Sequence, residues 1–221
     1  MSERNALTGP VRFALEMPAG PRARLTALAR PLLIIPHVLL VGGPAFCFLG
    51  FVPYRTGAFG GLAWLTAVFD WFAILFHEGP LKGMEHYKRE YLRWRARTLA
   101  YGAFLRDEYP PFGDGDYPAA LSLPESPAAR DKGLILLRPL LVLPHILWLL
   151  LLLFVWGFVG VFSWLWIAFT GALPESVWRF SRDVMGYSLR VEAYALLMHD
   201  EFPSFSLRPS DAIEASRERN G

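Results

Sequence analysis

A chain of 221 residues that is 53% hydrophobic, with a formal charge of +2 and a mean hydropathy of +0.29, is too apolar for an average soluble domain and too charged to be wholly embedded in lipid. It has no polybasic arm, which argues against nucleic acid as a partner. The single cysteine, Cys47, sits in an apolar run, so an internal disulfide is excluded and a cysteine metal site has no basis.

Residues 1–10 read as a flexible N-terminus. Arg4, Arg12, Arg22, Arg24 and Arg30 precede Pro31 with no apolar core among them, so no cleavable signal peptide is expected. Val11 to Met17 alternate apolar and polar residues, the pattern of a short strand. A first membrane span is expected over 31–52, bent at Gly42, Gly43 and Pro44, and a second over 59–77, whose only charge is Asp70. Over 82–105, Met84, Tyr87, Tyr91, Trp94, Thr98, Tyr101 and Leu105 recur at steps of three and four. They line one face of an amphipathic helix flanked by Lys88, Arg89, Arg93 and Arg95, which read as ligands for anionic lipid headgroups.

The unit then starts again. Ala119 to Leu123 repeats the strand, and RPLLVLPH from Arg138 repeats RPLLIIPH from Arg30, 108 positions on. The apolar stripe returns from Val177 to Met198, 93 positions on, and HDEFPSF closes the second copy as RDEYPPF closes the first. The two offsets place about 15 additional residues in the first copy, near Pro44 to Gly61. The uncharged run from Pro139 to Gly171 is too long for one span of roughly 20 residues. It is expected to turn back at Phe158, near Gly157 and Gly160, as spans over 139–156 and 158–173. An amphipathic helix over 175–198, a strand over Ser204 to Leu207 and a disordered tail over 209–221 complete the second repeat, 117–208, which follows a first repeat of 11–112.

The fold class expected is mainly α and integral to the membrane: four transmembrane helices in two tandem hairpin repeats, two cytoplasmic amphipathic helices and a few short β-strands. Lys and Arg number five before Pro31, ten between His77 and Pro139 and six after Gly171, with Arg55 alone in the opposite loops. By the positive-inside rule, both termini are cytoplasmic in a multi-pass protein of the bacterial inner membrane. The two copies then share one orientation, which argues against a carrier built from inverted repeats.

The residues RPLLIIPH, WFAILF and RDEYPPF, with RPLLVLPH, SLRVEAY and HDEFPSFSL in the second copy, resemble those of a bacterial membrane-protein family known as domain of unknown function 4389 (DUF4389). The likeness covers nearly the whole chain, twice. It implies a membrane protein and brings no catalytic residue with it. The first copy departs from the pattern in its enlarged hairpin and in His77-Glu78-Gly79.

Asp70 is the residue most open to a chemical reading, because an acid inside the membrane needs a partner. His37 is expected to face it, with Ser163 opposite His145 in the second copy, a pairing able to relay protons or merely to tie helices together. Haem ligation by the two histidines lacks an attachment signature, and no cofactor or metal is expected. Asp107 and Asp200 are expected to form structural ion pairs with Arg97 and Arg190. Trp64, Trp71, Trp148, Trp156, Trp164 and Trp178 read as packing or interfacial anchors. No phosphate loop, nucleophile elbow or dinucleotide fingerprint is present. These features point to a non-catalytic scaffold or accessory subunit that binds lipid, a protein partner or a second copy of itself. The alternatives are a small ion or proton channel built on Asp70, His37 and His145, and a lipid-modifying enzyme.

Overall fold

The computed structural model describes residues 11–44, 56–76, 79, 82–113, 115–126 and 130–207. The expected flexible N-terminus, the disordered tail, Cys47, Arg55 and most of the enlarged hairpin lie outside the described residues. The elements in order are β1 (Arg12–Leu15), α1 (Arg24–Leu33), α2 (Ile35–Val41), α3 (Gly57–Phe76), α4 (Lys82–Gly102), β2 (Ala119–Ser122), α5 (Lys132–Thr170) and α6 (Glu175–Ala195). The described residues are mainly helical, with one two-stranded sheet among them. By length and composition, α3 and α5 are able to cross a membrane, as is the bent pair α1–α2 if it counts as one span.

The hairpin expected at Phe158 does not form: α5 is one helix of 39 residues. Asp131 starts it by accepting from the backbone N–H groups of Gly133 and Leu134, and Gly171, at φ 72°, ends it. Gly157 and Gly160 break nothing because both lie on the buried stripe, where a missing side chain lets a neighbour approach closely. That stripe runs Ile135, Arg138, Val142, His145, Leu149, Leu152, Trp156, Gly160, Ser163 and Ile167. The first span also differs, since it begins at Arg24 rather than Pro31 and bends by 43° between α1 and α2. Pro36, which lacks an N–H, lies at the start of α2. Ser204 to Leu207 forms bends instead of the third expected strand.

The copies interlock. Arg12 to Leu15 pairs antiparallel with Ser122 to Ala119, so equivalent strands meet about a local twofold. The start of α1 joins the end of α5 through the Arg22 N–H, which donates to the Gly171 carbonyl at 2.8 Å, and the Arg24 guanidinium, which donates to the Thr170 carbonyl. At the other end of α5 the Trp71 indole donates to the Ile135 carbonyl at 2.8 Å, and Lys132 donates to the Leu75 carbonyl. Helices α1 and α3 therefore run antiparallel to the C-terminal and N-terminal halves of α5. Gly57, at φ +67°, starts α3 so close to the end of α2 that a Cβ there would lie 2.5 Å from the Gly42 nitrogen and from the Leu40 carbonyl.

Against this apolar layer lie α4 and α6, themselves in contact, with α4 on β2 and α6 on β1 behind them. Both amphipathic helices bury more than the single face read from the sequence. In α6, every residue from Val184 to Leu189 is buried.

Candidate functional site

The polar residues of the repeated motif converge twice, in the same way. Each amphipathic helix ends in a non-glycine residue with positive φ, Phe104 at 60° and Leu197 at 61°, 93 positions apart. That ending leaves carbonyls at the helix end in need of donors. The arginine of the Arg-Pro motif supplies them. Arg30 donates to the carbonyls of Tyr101 and Arg106 at 3.1 and 2.9 Å, and Arg138 to those of Tyr194 and His199 at 3.3 and 2.9 Å. Each guanidinium also lies over an aromatic ring, Arg30 4.5 Å from the Tyr101 centroid and Arg138 4.3 Å from that of Tyr194.

The remaining charge is met by the motif's acid. Asp107 binds Arg30 at 2.7 Å and Arg22 at 3.3 Å, while Asp200 binds Arg138 at 2.6 Å. The expected partners were Arg97 and Arg190, and this is corrected: Arg97 donates to the Gly113 carbonyl and Arg190 to the Ser206 carbonyl. The arginines that reach these acids are Arg30 of α1, with Arg22 just before it, and Arg138 of α5.

Seven residues further along, each motif histidine stacks on the last aromatic of its closing segment, His37 on Phe112 and His145 on Phe205, both with centroids 4.2 Å apart. The Trp94 indole, which can only donate, bonds His37 Nδ1 at 3.0 Å, so that nitrogen accepts and the proton sits on Nε2. His145 Nδ1 lies 2.7 Å from the Tyr187 hydroxyl. Burial pushes that phenol up to about 12, so the hydroxyl stays protonated beside the ring.

The expected pairing of His37 with Asp70 is not made. Asp70 instead binds Lys88 at 2.6 Å, and Lys88 also donates to the Leu196 carbonyl at 2.8 Å. Ser163 donates to the Val159 carbonyl of its own helix rather than facing His145. This also corrects the headgroup reading of the basic residues. Lys88 and Arg95 are both 1% exposed, and Arg95 is held by Glu192 at 2.8 Å and the Val41 carbonyl at 2.7 Å. Of the four, Arg89 and Arg93 retain exposure, beside Glu85 and Glu90. Sequence reasoning missed Glu192 altogether. Its one signal was an acid inside the apolar stripe of α6, two residues before Tyr194.

His199 is a titratable group with a readable consequence. Burial, reinforced by the positive charge of Arg138 and opposed by Asp200, lowers it to about 4. The unfolded chain takes up this proton near pH 6.5, whereas the folded protein resists it until about pH 4. Its contribution is therefore complete above pH 6.5 and is lost as pH falls towards 4, by about 3 kcal/mol. Thermal unfolding in detergent at pH 7 and pH 4.5 should show His199→Gln losing distinctly less stability on acidification than the parent. Equal losses would refute the assignment.

The sequence model of a family described as Domain of unknown function (DUF4389) matches residues 56–113 and 133–206, two segments that together make up more than half of the chain, consistent with tandem copies. No curated protein and no solved structure matches it.

Proposed function

The chain belongs to the DUF4389 family through two tandem copies of that domain, and from this premise we propose that it is a non-catalytic scaffold or accessory subunit of the bacterial inner membrane. One observation carries the reading. The polar residues that define the repeat, Arg30 with Asp107 and Arg138 with Asp200, are paired with each other and with backbone carbonyls at the ends of α4 and α6, which spends them on closing the fold. The histidines of the same motif are 0% exposed and stacked on aromatic rings. The partner surface in this reading is the charged side of α4 and α6, where Arg93, Arg97, Arg179 and Arg182 meet water, anionic lipid or another protein. Both termini lie on that cytoplasmic side.

The test uses purified full-length protein in proteoliposomes. Expected are no proton flux by an entrapped pH-sensitive dye and no change in lipid composition by mass spectrometry. A flux lost in Asp70→Asn would replace this reading with a channel, and turnover of the lipid would replace it with an enzyme.

A further inference from the structure

The exposed face of α5 is apolar over its whole length. Leu134, Leu140, Leu147, Phe154, Phe162 and Phe169 are among the uncovered side chains, and they reach from one end of the helix to the other. At ~1.5 Å per residue these positions extend over about 53 Å, nearly twice the roughly 30 Å hydrocarbon thickness. Leu28, Leu32, Leu65, Phe69, Phe72 and Phe76 continue the same kind of surface on α1 and α3.

The charges do not sit at the two ends of this surface, as they would around upright spans. Helix α6 lies along α5, with Tyr194 over Arg138 and Tyr187 beside His145, which places Arg190 level with the apolar part of α5. Helix α4 lies along α2, with Trp94 meeting His37, and its last turn meets α1 where Tyr101 meets Arg30, so Arg97 and Arg93 are level with the apolar residues around the α1–α2 bend and α2. Standing α5 upright would carry these groups towards hydrocarbon, where charged side chains are costly. It would also put a pair of equivalent cations on opposite faces of the bilayer. Arg24 caps the C-terminal end of α5, and Lys132 stands at its N-terminal end, whereas the positive-inside rule wants both on one side.

Building on membrane residence, we propose that the protein is monotopic: α1, α3 and α5 lie parallel to the bilayer plane, sunk into the acyl chains of one leaflet, with α4, α6 and the β1–β2 pair above them in the headgroups and water. A layer one helix deep, about 10 Å, fits within half of the hydrocarbon thickness. The apolar groove of about 470 Å³ between α3 and α5, walled by Trp64, Trp71, Val142 and Ile146, is then open to a lipid chain. Arg24 and Lys132 meet headgroup phosphates of the same leaflet at opposite ends of the buried layer.

The test is spin-label depth measurement on full-length protein in proteoliposomes, in a Cys47→Ser background. Leu136→Cys, Leu147→Cys and Leu165→Cys lie on one side of α5, the first two about 16 Å apart along its axis. The expected result is three depths within about 5 Å of each other, all accessible to oxygen and shielded from a polar nickel reagent. A deep label at 147 between shallow ones at 136 and 165 overturns the proposal in favour of an upright helix while leaving membrane residence intact. Free nickel access at all three overturns both. Arg24→Cys and Lys132→Cys should react with an impermeant maleimide from the same face of oriented vesicles. Reaction from opposite faces likewise refutes an in-plane α5.

Discussion

Replacing Glu192 with leucine is expected to cost about 3–5 kcal/mol of unfolding free energy, the loss seen when one partner of a buried ion pair is removed. Glu192 is 3% exposed and accepts from Arg95 Nε at 2.8 Å and from the Tyr91 hydroxyl at 2.9 Å, joining α4 to α6 in the middle of the protein. The leucine fills much of the space but leaves a guanidinium in a dry interface, with the Val41 carbonyl as one remaining acceptor. Arg95→Met combined with Glu192→Leu should recover most of the loss, because no charge is then stranded. Denaturant unfolding in detergent, followed by tryptophan fluorescence, gives all three values. A double variant as unstable as the sum of the singles would show that the two residues act independently. The bridge occurs once, since the repeat equivalents of Arg95 and Glu192 are Ser188 and Leu99.

The second large effect is expected at Asp70. Asp70→Leu strands the Lys88 ammonium, and Lys88→Met takes the bonded ammonium from the carboxylate in a site where both residues are at most 1% exposed. Each single change should cost about 3–5 kcal/mol. The second repeat indicates a tolerated replacement, because Ser163 and Ser181 occupy the corresponding positions. Asp70→Ser with Lys88→Ser should therefore lose less than either single variant in the same unfolding experiment. A double-serine protein less stable than both would mean that the salt bridge is required for its own sake.

What could be read from the sequence was periodic or repeated. The two copies and the stripes of the amphipathic helices follow from spacing, because side chains three and four apart share a helix face wherever that helix packs. Partner choice did not follow. Arg30 reaches Asp107 across 77 positions and Arg95 reaches Glu192 across 97, and nothing local distinguishes these arginines from Arg97 or Arg190. The break expected at Phe158 fails because glycine marks a turn in a polar chain, whereas Gly157 and Gly160 are buried within one continuous apolar helix. The same bias turned Lys88 and Arg95 into surface cations. A long charged side chain on an amphipathic helix usually faces water, and these two face a second layer of protein.

The exchange of elements between the repeats bears on their origin. Because each half supplies walls for the other, a gene encoding one repeat would specify no free-standing monomer, and two such polypeptides would have to embrace about the same twofold. Duplication and fusion turn that association from a second-order encounter into a first-order closure, with effective concentrations in the millimolar range for a short tether. Assembly then no longer depends on how densely the membrane is stocked with copies. The halves also become free to diverge, as Asp70 with Lys88 on one side and two serines on the other already have.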